Sequence, residues 1–200
     1  AAGDLRIEGA STGSFVATAN GAGADVITCG SITSTNGPVT LQTNGGDDAN
    51  VLINNAVSST NGAVNLLAGN GANSDVVVSA NVTAGAVLTM TSGTAAGSDV
   101  TLAAGVTAQG TSTNVNTPDL NINTGSNLVA TTGSVNVQSN LAGSVALTVD
   151  FLGNGNITAA NGNVLFNNTT AGAVTVTGGA ANGVITANAG TGIVRFNGGN

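Results

Sequence analysis

The chain repeats a pattern of short apolar segments about every 25 residues, and this period limits the folds open to it. Between residues 25 and 109, three columns of apolar residues recur in step. The first column holds Val26, Val51, Val76 and Val100, the second holds Ile32, Val57, Val82 and Val106, and the third holds Val39 with Leu41, Val64 with Leu66, and Leu88 with Met90. A helix would instead repeat its apolar positions every ~3.6 residues. The pattern therefore predicts three short strands per repeat.

Turn residues precede the third strand of each repeat, as Asn36-Gly37, Asn61-Gly62 and Gly85. Because Asn and Gly tolerate left-handed backbone, they allow a corner at this point. A two-residue Asn-Gly connection is also typical of a hairpin, so an antiparallel meander is the alternative fold. A parallel coil is favoured, since it stacks each side chain on its equivalent one turn away, at ~4.8 Å along the axis.

In the second half of the chain, the sequence pattern repeats at a shorter interval than in the first half. Glycines recur there every 9 to 11 residues, at Gly133, Gly143, Gly153, Gly162, Gly172, Gly183 and Gly192. Two such units predict coils of about 20 residues, while residues 110–132 fit neither spacing and Thr117-Pro118 would interrupt strand pairing. We predict a single all-β solenoid over residues 1–200, with ~25-residue coils over 1–109, an irregular transition over 110–132 and ~20-residue coils over 133–200. Eight or nine turns would make a rod roughly 40 Å long.

The composition excludes most catalytic chemistry. The chain has no His, two basic residues (Arg6 and Arg195) and nine acidic residues, for a net charge of −7. General-base histidine, Schiff-base lysine and zinc sites built on Cys or His are therefore not available. Nucleic acid is not an expected partner, because its binding requires several basic and aromatic residues. We expect a non-enzymatic protein with no required cofactor and no membrane span, since no apolar run approaches ~18 residues.

Three runs of the sequence resemble a known family: Ser34–Leu41 (STNGPVTL), Ser59–Leu66 (STNGAVNL) and Ala160–Phe166 (ANGNVLF). They look like the filamentous-haemagglutinin-like exoproteins and related autotransporter passengers of bacteria. The resemblance implies a right-handed parallel β-helix that is exported to the cell surface, where it forms the stalk or body of an adhesin or fibre. It carries over no catalytic residue. We therefore expect an extracellular structural repeat region that stacks coil on coil, polymerises head to tail or continues in a longer polypeptide, and contacts a host or surface receptor.

A β-helix enzyme of the pectate-lyase type is a further alternative, and it is disfavoured. The resemblance to that enzyme type would imply a site in which carboxylates bind calcium and a nearby Arg or Lys assists catalysis. The two arginines, Arg6 and Arg195, lie near opposite ends of the sequence.

Five of the nine acidic residues precede apolar runs in successive repeats: Asp25, Asp47, Asp48, Asp75 and Asp99. The segment 20–28 closely follows the calcium-binding nonapeptide G-G-x-G-x-D-x-U-x. A ladder of carboxylates and glycine carbonyls would supply the six to eight oxygens that calcium prefers. Asp also caps the turns that precede strands, and the motif recurs here every ~25 residues rather than every nine. The sequence therefore predicts either turn caps or a calcium ladder.

The outward strand positions are rich in Thr and Asn. Thr89-Met90-Thr91 and Thr175-Val176-Thr177 are patterns of the kind that ice-binding solenoids display, and Asn114-Val115-Asn116 interrupts them. β-propensity and amide ladders on a solvated face explain the same composition. Ice binding and calcium binding are thus the alternative functions.

Overall fold

A computed structural model describes residues 4–21, 23–95, 97–139, 146–168, 172–178, 183–187 and 192–198. These residues form 22 β-strands, and none of them forms a helix that is long and apolar enough to cross a membrane. The strands are β1 (Leu5–Ser11), β2 (Phe15–Ala19), β3 (Val26–Ser34), β4 (Val39–Thr43), β5 (Asn50–Ile53), β6 (Val57–Ser59), β7 (Val64–Leu67), β8 (Val76–Val78), β9 (Val82–Ala84), β10 (Leu88–Thr91), β11 (Asp99–Leu102), β12 (Thr107–Gly110), β13 (Thr113–Asn116), β14 (Asp119–Ile122), β15 (Asn127–Ala130), β16 (Val135–Ser139), β17 (Leu147–Phe151), β18 (Asn156–Ala159), β19 (Val164–Asn168), β20 (Val174–Gly178), β21 (Val184–Ala187) and β22 (Val194–Asn197).

The strands stack in parallel into three faces, which confirms a parallel β-solenoid and rules out the antiparallel meander. β1 and β3 are long enough to contribute to two faces each. Face 1 contains the first halves of β1 and β3, then β5, β8, β11, β14, β17 and β20; face 2 contains their second halves, then β6, β9, β12, β15, β18 and β21; face 3 contains β2, β4, β7, β10, β13, β16, β19 and β22. Each face thus has eight layers, and the chain makes about seven turns.

The strand register confirms the third predicted column of apolar residues. Val39, Val64 and Leu88 are in register in face 3, two residues before Leu41, Leu66 and Met90. Each of these six side chains is fully buried. The inward residues of face 3 therefore lie directly above one another, as expected for equivalent positions in successive coils.

Each of the first two predicted columns contains one misassigned residue. The first column is wrong by one residue at Val26, and the second is wrong by two residues at Val106. Ile27 rather than Val26 is in register with Val51, and Ile27 is fully buried while Val26 is half-buried. Because alternate residues of a strand point to opposite sides, a shift of one residue would turn the inward side chains to the solvent. In the second column Ala108 rather than Val106 is in register with Val82, since Val106 lies in the turn before β12.

The lengths of the coils differ from the prediction for the second half of the chain. Register partners differ in residue number by 24 to 26 from the second to the fifth layer, by 20 to 22 between the fifth and sixth, and by 27 to 30 beyond. The short coil therefore falls within residues 99–138, where β12–β15 continue all three ladders instead of forming an irregular transition. The ~20-residue coils predicted for residues 133–200 are wrong. Gly133 and Gly162 lie at one corner in successive layers, so three glycine intervals rather than two make one coil.

The core is a narrow column of aliphatic side chains enclosed by the three faces. Strand residues alternate between buried and half-buried positions through most layers. Cys29 is buried in this core, and burial raises the pKa of its thiol. Phe166 is fully buried and stacks on Phe196, with ring centroids 5.0 Å apart and an interplanar angle of 6°. Such stacking aligns equivalent aromatic residues in the last two layers.

The corner between faces 2 and 3 requires glycine for a different reason from the one predicted. Gly37, Gly62 and Gly85 have φ values outside the left-handed region. A Cβ atom on Gly62 would overlap the carbonyl oxygen of Gly37, and one on Gly85 would overlap that of Thr60. Glycine is therefore needed because the backbones of successive coils approach each other too closely for a side chain.

We expect Gly62→Ala to lower the free energy of unfolding by about 1–3 kcal/mol, because its Cβ would force neighbouring coils apart. The matched control is Gly13→Ala at the same corner in the first layer, where an added Cβ has no atom within 4 Å. Urea denaturation followed by circular dichroism measures both variants. Equal losses of stability in the two variants would contradict the close-approach explanation.

Candidate functional site

The structure separates the five predicted acidic residues into three positions near the corner that precedes face 1. Asp75 and Asp99 occupy one outward column. Asp25 lies one residue earlier, in an inward column, and is 2% exposed. Asp47 and Asp48 lie in the preceding turn and are exposed. The predicted single ladder of five carboxylates is therefore not formed.

Four residues at the same height of face 1 define what we call the acidic column: Asn50, Asp99 and Asp119, which begin β5, β11 and β14, and Asp75, which immediately precedes β8. The backbone N–H of Asp75 donates to Oδ1 of Asn50 at 2.6 Å, and the N–H of Asp99 donates to Oδ1 of Asp75 at 2.9 Å. The side chains of Asn50 and Asp75 therefore each accept a hydrogen bond from the backbone at the start of the next layer. Both bonds join successive layers, over 25 and 24 residues, and neither closes the turn of its own acceptor. The turn-cap interpretation therefore stays a prediction.

Asp119 belongs to this column although it was not predicted there. It pairs with Asp99 across a short coil, since their residue numbers differ by only 20. A search at a period of 25 misses it, and Pro118 suggested an interruption at this point. The available signal was the Asp-Leu-Asn-Ile run 119–122, which repeats the inward and outward alternation of Asp-Val-Thr-Leu at 99–102.

The column buries its carboxylates and places like charges one layer apart. Burial, together with the charges of Asp119, Asp75 and Asp150, raises the pKa of Asp99 to about 6. Burial also raises the pKa of Asp75, assisted by Asp48, and the pKa of Asp119, assisted by Asp150. Oδ1 of Asp119 is buried without a hydrogen-bond partner among the described residues. Ionisation of this column therefore opposes folding.

The turn that holds Asp48 repeats in three layers with the same backbone geometry. Asp48, Asn73 and Gly97 have φ values of 60°, 52° and 81°. The N–H of Asp48 donates to the carbonyl oxygen of Ala72 at 2.8 Å, so this turn is tied to the next layer. Asp, Asn and Gly are the residues that best tolerate left-handed backbone. The position of Asp48 is therefore explained by the conformation of the turn.

Calcium binding stays a prediction. Within the described ranges, no three carboxylate or thiol side chains lie close enough together to hold one metal ion. The acidic column brings its carboxylates together only as successive neighbours along the axis.

A second polar feature lies on the outer surface of face 3. Thr89 and Thr91 are half-buried on either side of the buried Met90, as the Thr-x-Thr pattern predicts. Amide side chains then link successive layers through hydrogen bonds. These bonds run from Asn65 Nδ2 to Thr40 Oγ1 (3.3 Å), from Asn116 Nδ2 to Thr91 Oγ1 (3.0 Å), from Asn136 Nδ2 to Asn114 Oδ1 (2.9 Å) and from Asn197 Nδ2 to Asn167 Oδ1 (2.6 Å).

The amide-ladder interpretation of this surface is therefore confirmed. The Thr ladder that ice binding would use is interrupted by these amides and by Leu67 and Leu165. Ice binding stays a prediction.

Comparison of the chain with protein-family models, with curated proteins and with solved structures finds no match. The structure shows a parallel β-solenoid fold.

We expect Asp99→Asn to stabilise the protein at neutral pH. The folded pKa of about 6 lies above the ordinary value of 3.8, so the stability associated with protonated Asp99 is complete below pH 3.8 and is lost as the pH rises through 6. The substitution copies Asn50 in the same column and should raise the free energy of unfolding at pH 7 by about 1 kcal/mol after allowance for solvent screening. At pH 3.5 the gain should vanish.

Urea denaturation of both proteins at pH 3.5, 5 and 7 measures this difference. Asp4→Asn is the control, because it removes one negative charge from an exposed residue outside the column. A gain that is larger at pH 3.5 than at pH 7 would show that the charge of Asp99 does not destabilise the fold.

If calcium binds at this corner, calorimetric titration at pH 7 should give saturable heat, because neighbouring carboxylates would share the cation. The heat should decrease at pH 5, where Asp99 is mostly protonated, and should be lost in Asp99→Asn. A flat titration of the native protein would remove the calcium alternative.

Proposed function

We propose that this chain is a structural repeat region of an extracellular bacterial surface fibre or large adhesin. The observation that carries the proposal is the set of three unbroken parallel ladders, each eight strands long, around one continuous apolar core. Each inner layer hydrogen-bonds to the layers on both sides, so stability accumulates along the axis. Such a rod extends by adding layers, which is what a stalk or fibre requires.

The two terminal layers support stacking on further β layers. The last layer, made of β20, β21 and β22, exposes apolar side chains that include Val184, Val194 and Phe196. The side chain of Phe196 is 51% exposed. The outer strands of a parallel stack also present backbone groups that another strand can pair with. We propose that further coils of a longer polypeptide, or a second copy arranged head to tail, occupy these edges.

We base the proposed surface location and the proposed host or surface receptor on the likeness to bacterial exoproteins. That likeness lies in runs such as Ser34–Leu41 and Ser59–Leu66. A non-enzymatic role is supported by the positions of the basic residues. Arg6 lies in the first layer and Arg195 in the last, whereas the acidic column lies between them in the third to sixth layers. No arginine is therefore placed to assist these carboxylates.

Cryo-electron microscopy of the native material is the test of this proposal. We expect rods or filaments with an axial repeat of ~4.8 Å, in which eight layers account for about 40 Å. Uniform filaments with one copy per ~40 Å would indicate head-to-tail assembly, and longer continuous rods of one polypeptide would indicate a stalk. Particles without an axial β repeat would contradict a fibre or stalk.

Antibody labelling of intact and lysed producing cells tests the location. We expect labelling of intact cells that is lost after brief treatment with external protease. Labelling that appears only after lysis would contradict a surface location.

A further inference from the structure

The outer surface of face 3 contains an axial depression that we call the amide trough. Its volume is about 400 Å³, and its lining residues are Thr89, Asn114, Asn116, Asn136, Gln138 and Asn167. These residues belong to four successive strands, β10, β13, β16 and β19. The trough therefore runs along the solenoid for three layer spacings, or ~15 Å. It crosses the shortest coil of the described structure, between β13 and β16, where register partners differ in residue number by 22.

Hydrogen bonds between layers orient the side chains of the trough. Asn136 donates through Nδ2 to Oδ1 of Asn114 at 2.9 Å, and Asn116 donates through Nδ2 to Oγ1 of Thr91 at 3.0 Å. An amide side chain has two N–H donors and an oxygen that accepts two hydrogen bonds. One hydrogen bond between layers therefore uses only one of these donors or acceptors. It also fixes the direction in which the others point.

The chemistry of the lining selects the class of ligand. All six lining side chains are uncharged amides or hydroxyls. A phosphate or sulfate would require Arg or Lys, a cation would require carboxylates, and an apolar ligand would leave these polar groups without partners. A neutral chain with many hydroxyl groups satisfies them, because each hydroxyl both donates and accepts.

We propose that the amide trough binds an uncharged glycan chain that lies along the solenoid axis. Successive layers repeat at ~4.8 Å, a distance close to the length of one sugar unit, so each layer can meet one sugar. Two strands of the trough each offer a pair of amide side chains to one sugar. In β13 the pair is Asn114 and Asn116, and in β16 it is Asn136 and Gln138. The site lies within a single chain, and it does not depend on assembly into a fibre.

The affinity of one trough should be low. Each hydrogen bond to the glycan replaces one to water, so the net gain per bond is small. We expect a Kd of about 1 mM for a hexasaccharide. Copies of the trough aligned in an assembly would bind a long glycan more tightly through multivalency.

The experiment is a titration of the ¹⁵N-labelled protein with three neutral hexasaccharides, cellohexaose, chitohexaose and maltohexaose, followed by NMR. The side-chain amide signals of Asn114, Asn136 and Gln138 should shift saturably with at least one of them. Raising the salt concentration should leave binding unchanged, because the ligand is uncharged. Hexagalacturonate, which is anionic, should bind more weakly in view of the net charge of −7.

Two variants in one outward column separate binding from structure. Asn136→Leu removes a lining amide and should weaken binding more than tenfold, while Asn65→Leu lies in the same column outside the trough and should leave binding unchanged. Each loses one ladder bond, and Leu165 already occupies this column in the native chain. Urea denaturation should show the same small change in stability for both.

Three results would overturn the proposal. The first is the absence of a saturable shift with all three neutral hexasaccharides up to 20-fold above the expected Kd, about 20 mM. The second is unchanged binding by Asn136→Leu. The third is an equal loss of binding in Asn136→Leu and Asn65→Leu. None of these outcomes bears on whether the rods form filaments, so the fibre proposal is judged separately by electron microscopy.

Discussion

Parallel hydrogen bonding between coils places each residue directly above its equivalent one turn away, at ~4.8 Å, and the other properties of this molecule depend on that constraint. An inward column can then consist of the same few aliphatic residues in every layer, as Leu41, Leu66 and Met90 do. The core therefore needs no aromatic clusters and little variety. A chain with 31 glycines and four phenylalanines can build it because backbone hydrogen bonds join the strands of successive layers.

The same stacking has opposite consequences for different polar side chains. Amides and hydroxyls in register donate and accept along the column, as Asn136 does to Asn114. Carboxylates in register repel one another: burial is the main cause of the raised pKa of Asp99, and the charges of Asp119 and Asp75 add to it. Asn50, at the beginning of the column, accepts the same kind of hydrogen bond without carrying a charge. The abundance of Asn and Thr over charged residues on the outer surface thus follows from the geometry of the ladders.

Sequence periodicity predicted the parallel solenoid and the column of Val39, Val64 and Leu88, because strands of equal spacing repeat their inward residues regularly. It failed where coil length changes, since a fixed period cannot follow corners of variable length. Asp119 was missed for this reason, and Val26 was assigned in place of Ile27 because both are apolar and adjacent. The amide trough was not predicted either. The Asn and Thr residues were recognised as outward, but which of them line one depression follows from the register of four successive strands.

Among the described residues, strands of successive layers stay paired although the number of residues per coil changes. The residue number rises by 20 from Asp99 to Asp119 and by 30 from Val164 to Val194, yet the strands are equally well paired at both steps. A corner can therefore gain or lose residues without disturbing the faces on either side of it. For evolution this separates two kinds of change: whole coils can be duplicated or deleted to alter the reach of the rod, and corners can diversify to alter what it presents along its flank.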